Sequence, residues 1–218
     1  MDSPDTSTAG TCGAMPQPGL RRRLLGAGIV GLAGSLLPSL AARASAATPD
    51  DAAPTTTAPP QRPTGDDVAL LQFAQSVELA VVELYGVALG SNGLGDGLLA
   101  LLTETRATHV AYAQSLSAML GTDATGATAT EVIEAGRAAF ATGNDHDVAT
   151  AAHDLEAVAV ATHTELLGLL LGTDAASLVA SILIVEARHS LVFGKLAGIN
   201  DLDALLLTNA DALAPGRG

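Results

Sequence analysis

The sequence predicts an all-α four-helix bundle with a long crossover between its second and third long helices. Three observations carry this. No window alternates apolar and polar residues with period 2 for long enough to make a strand. Long apolar stretches are separated by short Gly-containing breaks. The chain also repeats itself. Val77-Glu78-Leu-Ala-Val-Val-Glu-Leu-Tyr85 reads beside Leu155-Glu156-Ala-Val-Ala-Val-Ala-Thr-His163, and Arg106-Ala-Thr-His109 reads beside Glu186-Ala-Arg-His189. The offset is near 80 residues, as expected for a duplicated helical hairpin.

Each element has its own start and stop. Thr64-Gly-Asp-Asp67 offers an N-cap and first-turn acids, so the first helix is expected from Asp66 to Leu89, stopped by Gly90-Ser-Asn-Gly93. The second runs from Gly97 to Leu120 and stops at Gly121. Thr130 to Ala141 reads as a short extra helix capped by Thr130, inside the longest break between long helices. The third long helix is expected from Asp147 to Leu171, ended by Gly172, and the fourth from Thr173 or Asp174 to Gly198. The bundle thus covers residues 65–199, and 200–218 form a tail whose apolar Leu202 to Leu207 segment is a short helix candidate.

Residues 1–46 read as a signal rather than as fold. Arg21-Arg22-Arg23 precedes an apolar run to Leu40, and Ala44-Ser45-Ala46 is a small-residue cleavage site. The adjacent arginines resemble a twin-arginine signal, a route that implies export of a folded chain to an extracytoplasmic place: periplasm, cell surface or medium. A membrane anchor is the competing reading, since Leu24 to Ala42 just reaches spanning length, but that stretch is Gly-rich and holds Pro38. Residues 47–64 carry Pro49, Pro54, Pro59, Pro60 and Pro63 among threonines and read as an extended linker.

Composition narrows the function classes. The chain carries 10 basic and 23 acidic residues. Removing residues 1–46 takes four arginines and two aspartates with it, leaving 6 basic and 21 acidic residues and a net charge of −15. Such a surface has no basic patch for nucleic acid. There is no Gly-rich phosphate loop for a nucleotide and no Gly-x-Ser-x-Gly elbow for a serine hydrolase. Cys12 is the one cysteine and leaves with the signal, so the mature chain has no disulfide. A partner protein is not specified; a homodimer is compatible with the sequence.

The chemistry lies in acids and imidazoles set into apolar helices. Glu186 and His189 are three residues apart and share a helix face with Ile182 and Phe193. Charges placed there need a partner or a metal. Glu78 and Tyr85 lie two turns apart, as do Glu156 and His163, so each pair shares a face. The repeat selects Glu78 over Glu83 as the inward acid. Glu78, Glu156, Glu186 and His189 are therefore expected within about 10 Å of one another, the spacing of neighbouring bundle helices. His109 joins them by alignment with His189, against the blander reading of a hydrogen-bonded core histidine. Tyr112 and Phe193 read as core, and His146 and His153 as solvent-facing.

The order Glu, x-x-His, Glu, Glu-x-x-His resembles the ferritin-like superfamily from Asp66 to Gly198, and the Val-Glu-Ala-Arg-His string is similar to the last helix of secreted bacterial ferritin-like domain proteins. The resemblance implies a metal core of iron or manganese, with Glu78, His109, Glu156, Glu186 and His189 as ligands and redox chemistry as an inherited potential. Tyr85, Arg106 and His163 would support those ligands from behind. One position departs from the family: Arg106 stands where a bridging Glu belongs. The expectation is that Arg106 pairs with Glu78 inside the cluster and takes the place of one metal's charge, leaving a single ion; the alternative is that Arg106 bends out to water and leaves two poorly bridged metals. The competing reading is a metal-free interaction or stress-response module in which Arg106 has replaced the metal altogether.

Overall fold

A computed structural model describes residues 59–207 and 209–215. The expected signal (1–46) and most of the expected linker (47–64) fall outside the described residues. All regular structure among those described is helical: α1 (Asp66–Leu89), α2 (Asp96–Leu120), α3 (Thr130–Phe140), α4 (Asp145–Leu169), α5 (Thr173–Leu196) and α6 (Leu202–Leu206). A single 3-10 turn, Gly121–Asp123, follows α2.

α1 and α2 form one antiparallel hairpin, and α4 and α5 form the other. The connection between them climbs the whole bundle alongside α1. It leaves the end of α2 with Gln72 Nε2 donating to Asp123 O at 2.6 Å, and Ala129 N donates to Ser76 O at 3.0 Å. α3 then lies against α1 and α4. Gly136 of α3 sits so close to Leu84 of α1 that a Cβ there would come within 2.9 Å of its Cδ1. The climb ends where Gly143 passes Asn92 and the Asp145 carboxylate accepts from Gly95 N at 2.9 Å. α4 therefore starts beside the end of α1 and runs antiparallel to it, so the second hairpin is inverted relative to the first.

Two helix caps differ from expectation, and one helix end differs where a tertiary partner intervenes. α1 begins after Gly65, at φ 60°, without a side-chain cap, so Thr64 does not cap it. Thr130 is the first residue of α3 rather than its cap, which is Ala129. α4 stops at Leu169, two residues early. The Asp67 carboxylate of α1 accepts from Leu171 N at 3.0 Å and from Gly172 N at 2.7 Å, and these bonds hold the turn extended.

The apolar core comes in two parts. One cluster joins Leu84, Leu98, Leu102, Phe140, Val148 and Phe193; the other joins Leu71, Leu116, Leu120, Leu166, Val179 and Ile182. Along α1, α4 and α5 a charged layer falls between them: Glu78 lies between Ala74 and Val81, Glu156 between Ala152 and Leu166, and Glu186 between Ile182 and Phe193. Each fully buried Leu or Phe contributes about 1.5–3 kcal/mol, and the two apolar layers enclose the polar one.

Candidate metal centre

The polar layer is a closed set of carboxylates and imidazoles contributed by all four long helices. Glu78 (α1), His109 (α2), Glu156 and His163 (α4) and Glu186 (α5) are fully buried. The side chain of His189 (α5) retains 15% exposure and marks the side on which the layer approaches solvent. His109 bridges the two hairpins, with Nδ1 at 2.6 Å from Glu78 Oε2 and Nε2 at 3.0 Å from Glu156 Oε1. His163 reaches back across the bundle. Its Nδ1 lies 2.7 Å from Glu186 Oε2, and its Nε2 lies 3.7 Å from Glu78 Oε1. His189 Nδ1 lies 3.5 Å from Glu156 Oε1, the oxygen to which Tyr85 donates its hydroxyl hydrogen.

The five residues that the sequence marks as ligands thus converge on one centre. His163, expected behind the ligands, lies among them. Tyr85 donates its hydroxyl hydrogen to Glu156, its ring packed against Phe140 and Phe193. The duplication explains the pairing. Tyr85 and His163 occupy equivalent places seven residues after Glu78 and Glu156, and each reaches the glutamate of the other hairpin.

Arg106 departs from expectation. It is only half-buried, and its Nε donates to Val82 O of α1 at 3.0 Å. No ion pair joins it to Glu78 among the described residues, so it neither enters the cluster nor stands in for a metal's charge. The metal-replacement reading loses its basis here, and so does the argument for a single ion. The physical reason is the neighbourhood. At the place in the second hairpin that corresponds to Arg106, Glu186 meets the His163 imidazole; Arg106 would meet the Tyr85 phenol, which already donates to Glu156.

His153 is a second correction. It is buried rather than solvent-facing, with Nδ1 at 2.9 Å from Ser190 O and 3.1 Å from Ser190 Oγ. Gly194 makes the room: a Cβ there would lie 2.9 Å from His153 Nδ1. The signal was present in sequence, since His153 sits one turn before the inward Glu156. His146 is exposed, as expected.

Electrostatics follow from burial without a compensating cation from Arg106. Burial pulls the His109 pKa down, but the Glu156 and Glu78 carboxylates more than reverse it and hold the ring protonated well above its ordinary range. His163 is raised too: burial opposes charging, and Glu186 and Glu78 outweigh it. Burial pushes Glu186 up to about 7, with His163 opposing and Glu78 adding to the rise. For Glu156, burial acts upward, but His109 and His189 draw it down to about 2. Protons on these groups therefore balance the carboxylates.

The family model described as a ferritin-like domain matches residues 66–198. The chain belongs to the ferritin-like domain family. Comparison with curated proteins and with solved structures yields no match. Ferritin-like bundles build metal sites from a Glu on each of two helices and a Glu-x-x-His on each of the other two. The residues of this ferritin-like domain fit a metal despite the departure at 106. Glu78 Oε1, Glu156 Oε2, Glu186 Oε1, His163 Nε2 and His189 Nδ1 are buried donor atoms without a hydrogen-bond partner. They belong to two groups of potential ligands, His109 with Glu156 and His189, and Glu78 with His163 and Glu186, each with its donor atoms within 4.8 Å of one another.

Proposed function

We propose that this chain is an exported ferritin-like bundle that binds iron or manganese in its core. The observation that carries the reading is the set of buried donor atoms without hydrogen-bond partners, on carboxylates and imidazoles drawn from α1, α4 and α5. Leaving a buried polar group unsatisfied costs about 1–3 kcal/mol, and coordination to a divalent ion relieves several of them at once. A bound iron or manganese would supply a Lewis-acidic centre with accessible redox states. The chain's own residues do the rest. Glu78, Glu156 and Glu186 provide charge, and His109, His163 and His189 provide neutral donors once their protons leave. Tyr85 fixes Glu156 by donating to it, and the apolar layers on either side exclude water.

The test is metal analysis of protein purified without a His-tag, followed by thermal melts of stripped protein with added Fe(II) or Mn(II). Binding to the folded state alone stabilises by about 2.7 kcal/mol at a free ion concentration a hundredfold above Kd. A rise in melting temperature with metal recovered in the protein is the expected result. Protein that carries no metal and melts identically with either ion would overturn the reading.

A further inference from the structure

The two donor groups are unlike, and nothing in a duplicated hairpin requires that. One has two imidazoles and a carboxylate: His109, Glu156 and His189. The other has two carboxylates and an imidazole: Glu78, His163 and Glu186. They share no residue. The difference arises at the two positions where the hairpins diverge. Glu186 corresponds to Arg106, and His163 corresponds to Tyr85. In the second hairpin both residues point donors at the centre; in the first, Arg106 is turned to Val82 O and Tyr85 donates to Glu156.

Resting on the reading of the core as metal-binding, we propose that it holds two different ions rather than a matched pair: a borderline divalent ion, zinc, on His109, Glu156 and His189, and a harder ion, manganese, on Glu78, His163 and Glu186. Softness and charge give the assignment. Imidazole donors suit zinc, while carboxylates suit manganese. Two His and one Glu form a set that zinc takes in open sites with three protein ligands. One formal negative charge in the first group leaves a divalent ion net positive. Two in the second neutralise it, which a fully buried site demands. Burial separates the groups further. The zinc group includes His189, 15% exposed, whereas every member of the manganese group is fully buried.

The experiment uses untagged, metal-stripped full-length protein given one equivalent each of Zn(II) and Mn(II), then desalted and analysed for both metals. Equivalents are kept limiting because zinc binds most nitrogen and oxygen sites more tightly than manganese and in excess would fill both. One zinc and one manganese per chain are expected. His189→Gln should lower zinc at least tenfold in affinity and leave the manganese content and its paramagnetic resonance spectrum unchanged. His163→Gln should do the reverse, and Glu186→Gln repeats that arm should His163→Gln lose its helical circular dichroism. Zinc retained with manganese lost on desalting, two manganese per chain when stripped protein is given two equivalents of Mn(II) alone and desalted, or variants that lose both metals together, would overturn the unlike pair while leaving a metal-binding core intact. Protein that takes up neither metal overturns both this inference and the function on which it rests.

Discussion

At the residue scale, the core is an electrostatic balance that metal and protons can each satisfy. His109, His163 and Glu186 all bind protons more tightly in the fold than in free chain. A raised folded pKa gives stability that is complete below the unfolded value and is lost as pH rises through the folded one. For Glu186 that loss runs from 4.5 to about 7; for the two histidines it begins above 6.5. Glu156 is opposite in sign. Its stabilisation is present above 4.5 and fades as pH falls toward about 2. Metal-free protein should therefore melt at a lower temperature at pH 8 than at pH 6, and added Mn(II) should raise the melting temperature more at pH 8, because ligands must shed their protons to bind. Calorimetric melts at both pH values check this, and an equal gain at the two would refute it. Arg106 gives a second residue-scale test. Its Nε bond to Val82 O is the sole hydrogen bond of its side chain among the described residues. Arg106→Ala should cost about 1 kcal/mol in urea unfolding and leave metal content unchanged. A changed metal content would return Arg106 to the site.

At the element scale, the turns decide how the two hairpins register. Gly143 has φ 67°, and a Cβ there would fall 2.1 Å from Asn92 O, a backbone atom that cannot swing aside. Gly143→Ala should destabilise the bundle by more than the roughly 1–2 kcal/mol that a Cβ costs in left-handed backbone alone, read as a lower urea midpoint at unchanged slope. A neutral effect would mean that the crossover does not depend on this close approach. The same scale shows what was legible beforehand. The bounds of α1 and α3 lie within a residue of those expected, although neither Thr64 nor Thr130 serves as the cap. The end of α4 does not, because it is set by Asp67, more than 100 residues away in sequence. Local pattern places helices, but a carboxylate arriving from another helix can stop one early.

At the scale of the whole molecule, the proposed export is tested at the paired arginines. Arg21 and Arg22 head a modest, Gly-rich apolar run. Replacing both with Lys should retain the precursor inside the cell, as shown by fractionation and immunoblotting. Appearance outside at wild-type level would mean another route. The sequence by itself determined the all-α class, the duplicated hairpin, the long crossover and the inward faces holding Glu78, His109, Glu156, Glu186 and His189. These rest on periodicity, and a residue's position on the helix circumference is fixed by its number alone. Only the tertiary structure decided the fates of residues at the edge of those faces. Arg106 lies three positions before His109, as Glu186 does before His189, and His153 stands in the same relation to Glu156. Three positions are about 60° round the helix, from where a side chain can turn inward or away. The neighbour across the gap chooses: His163 draws Glu186 in, Val82 O holds Arg106 out, and the space beside Gly194 lets His153 close on Ser190.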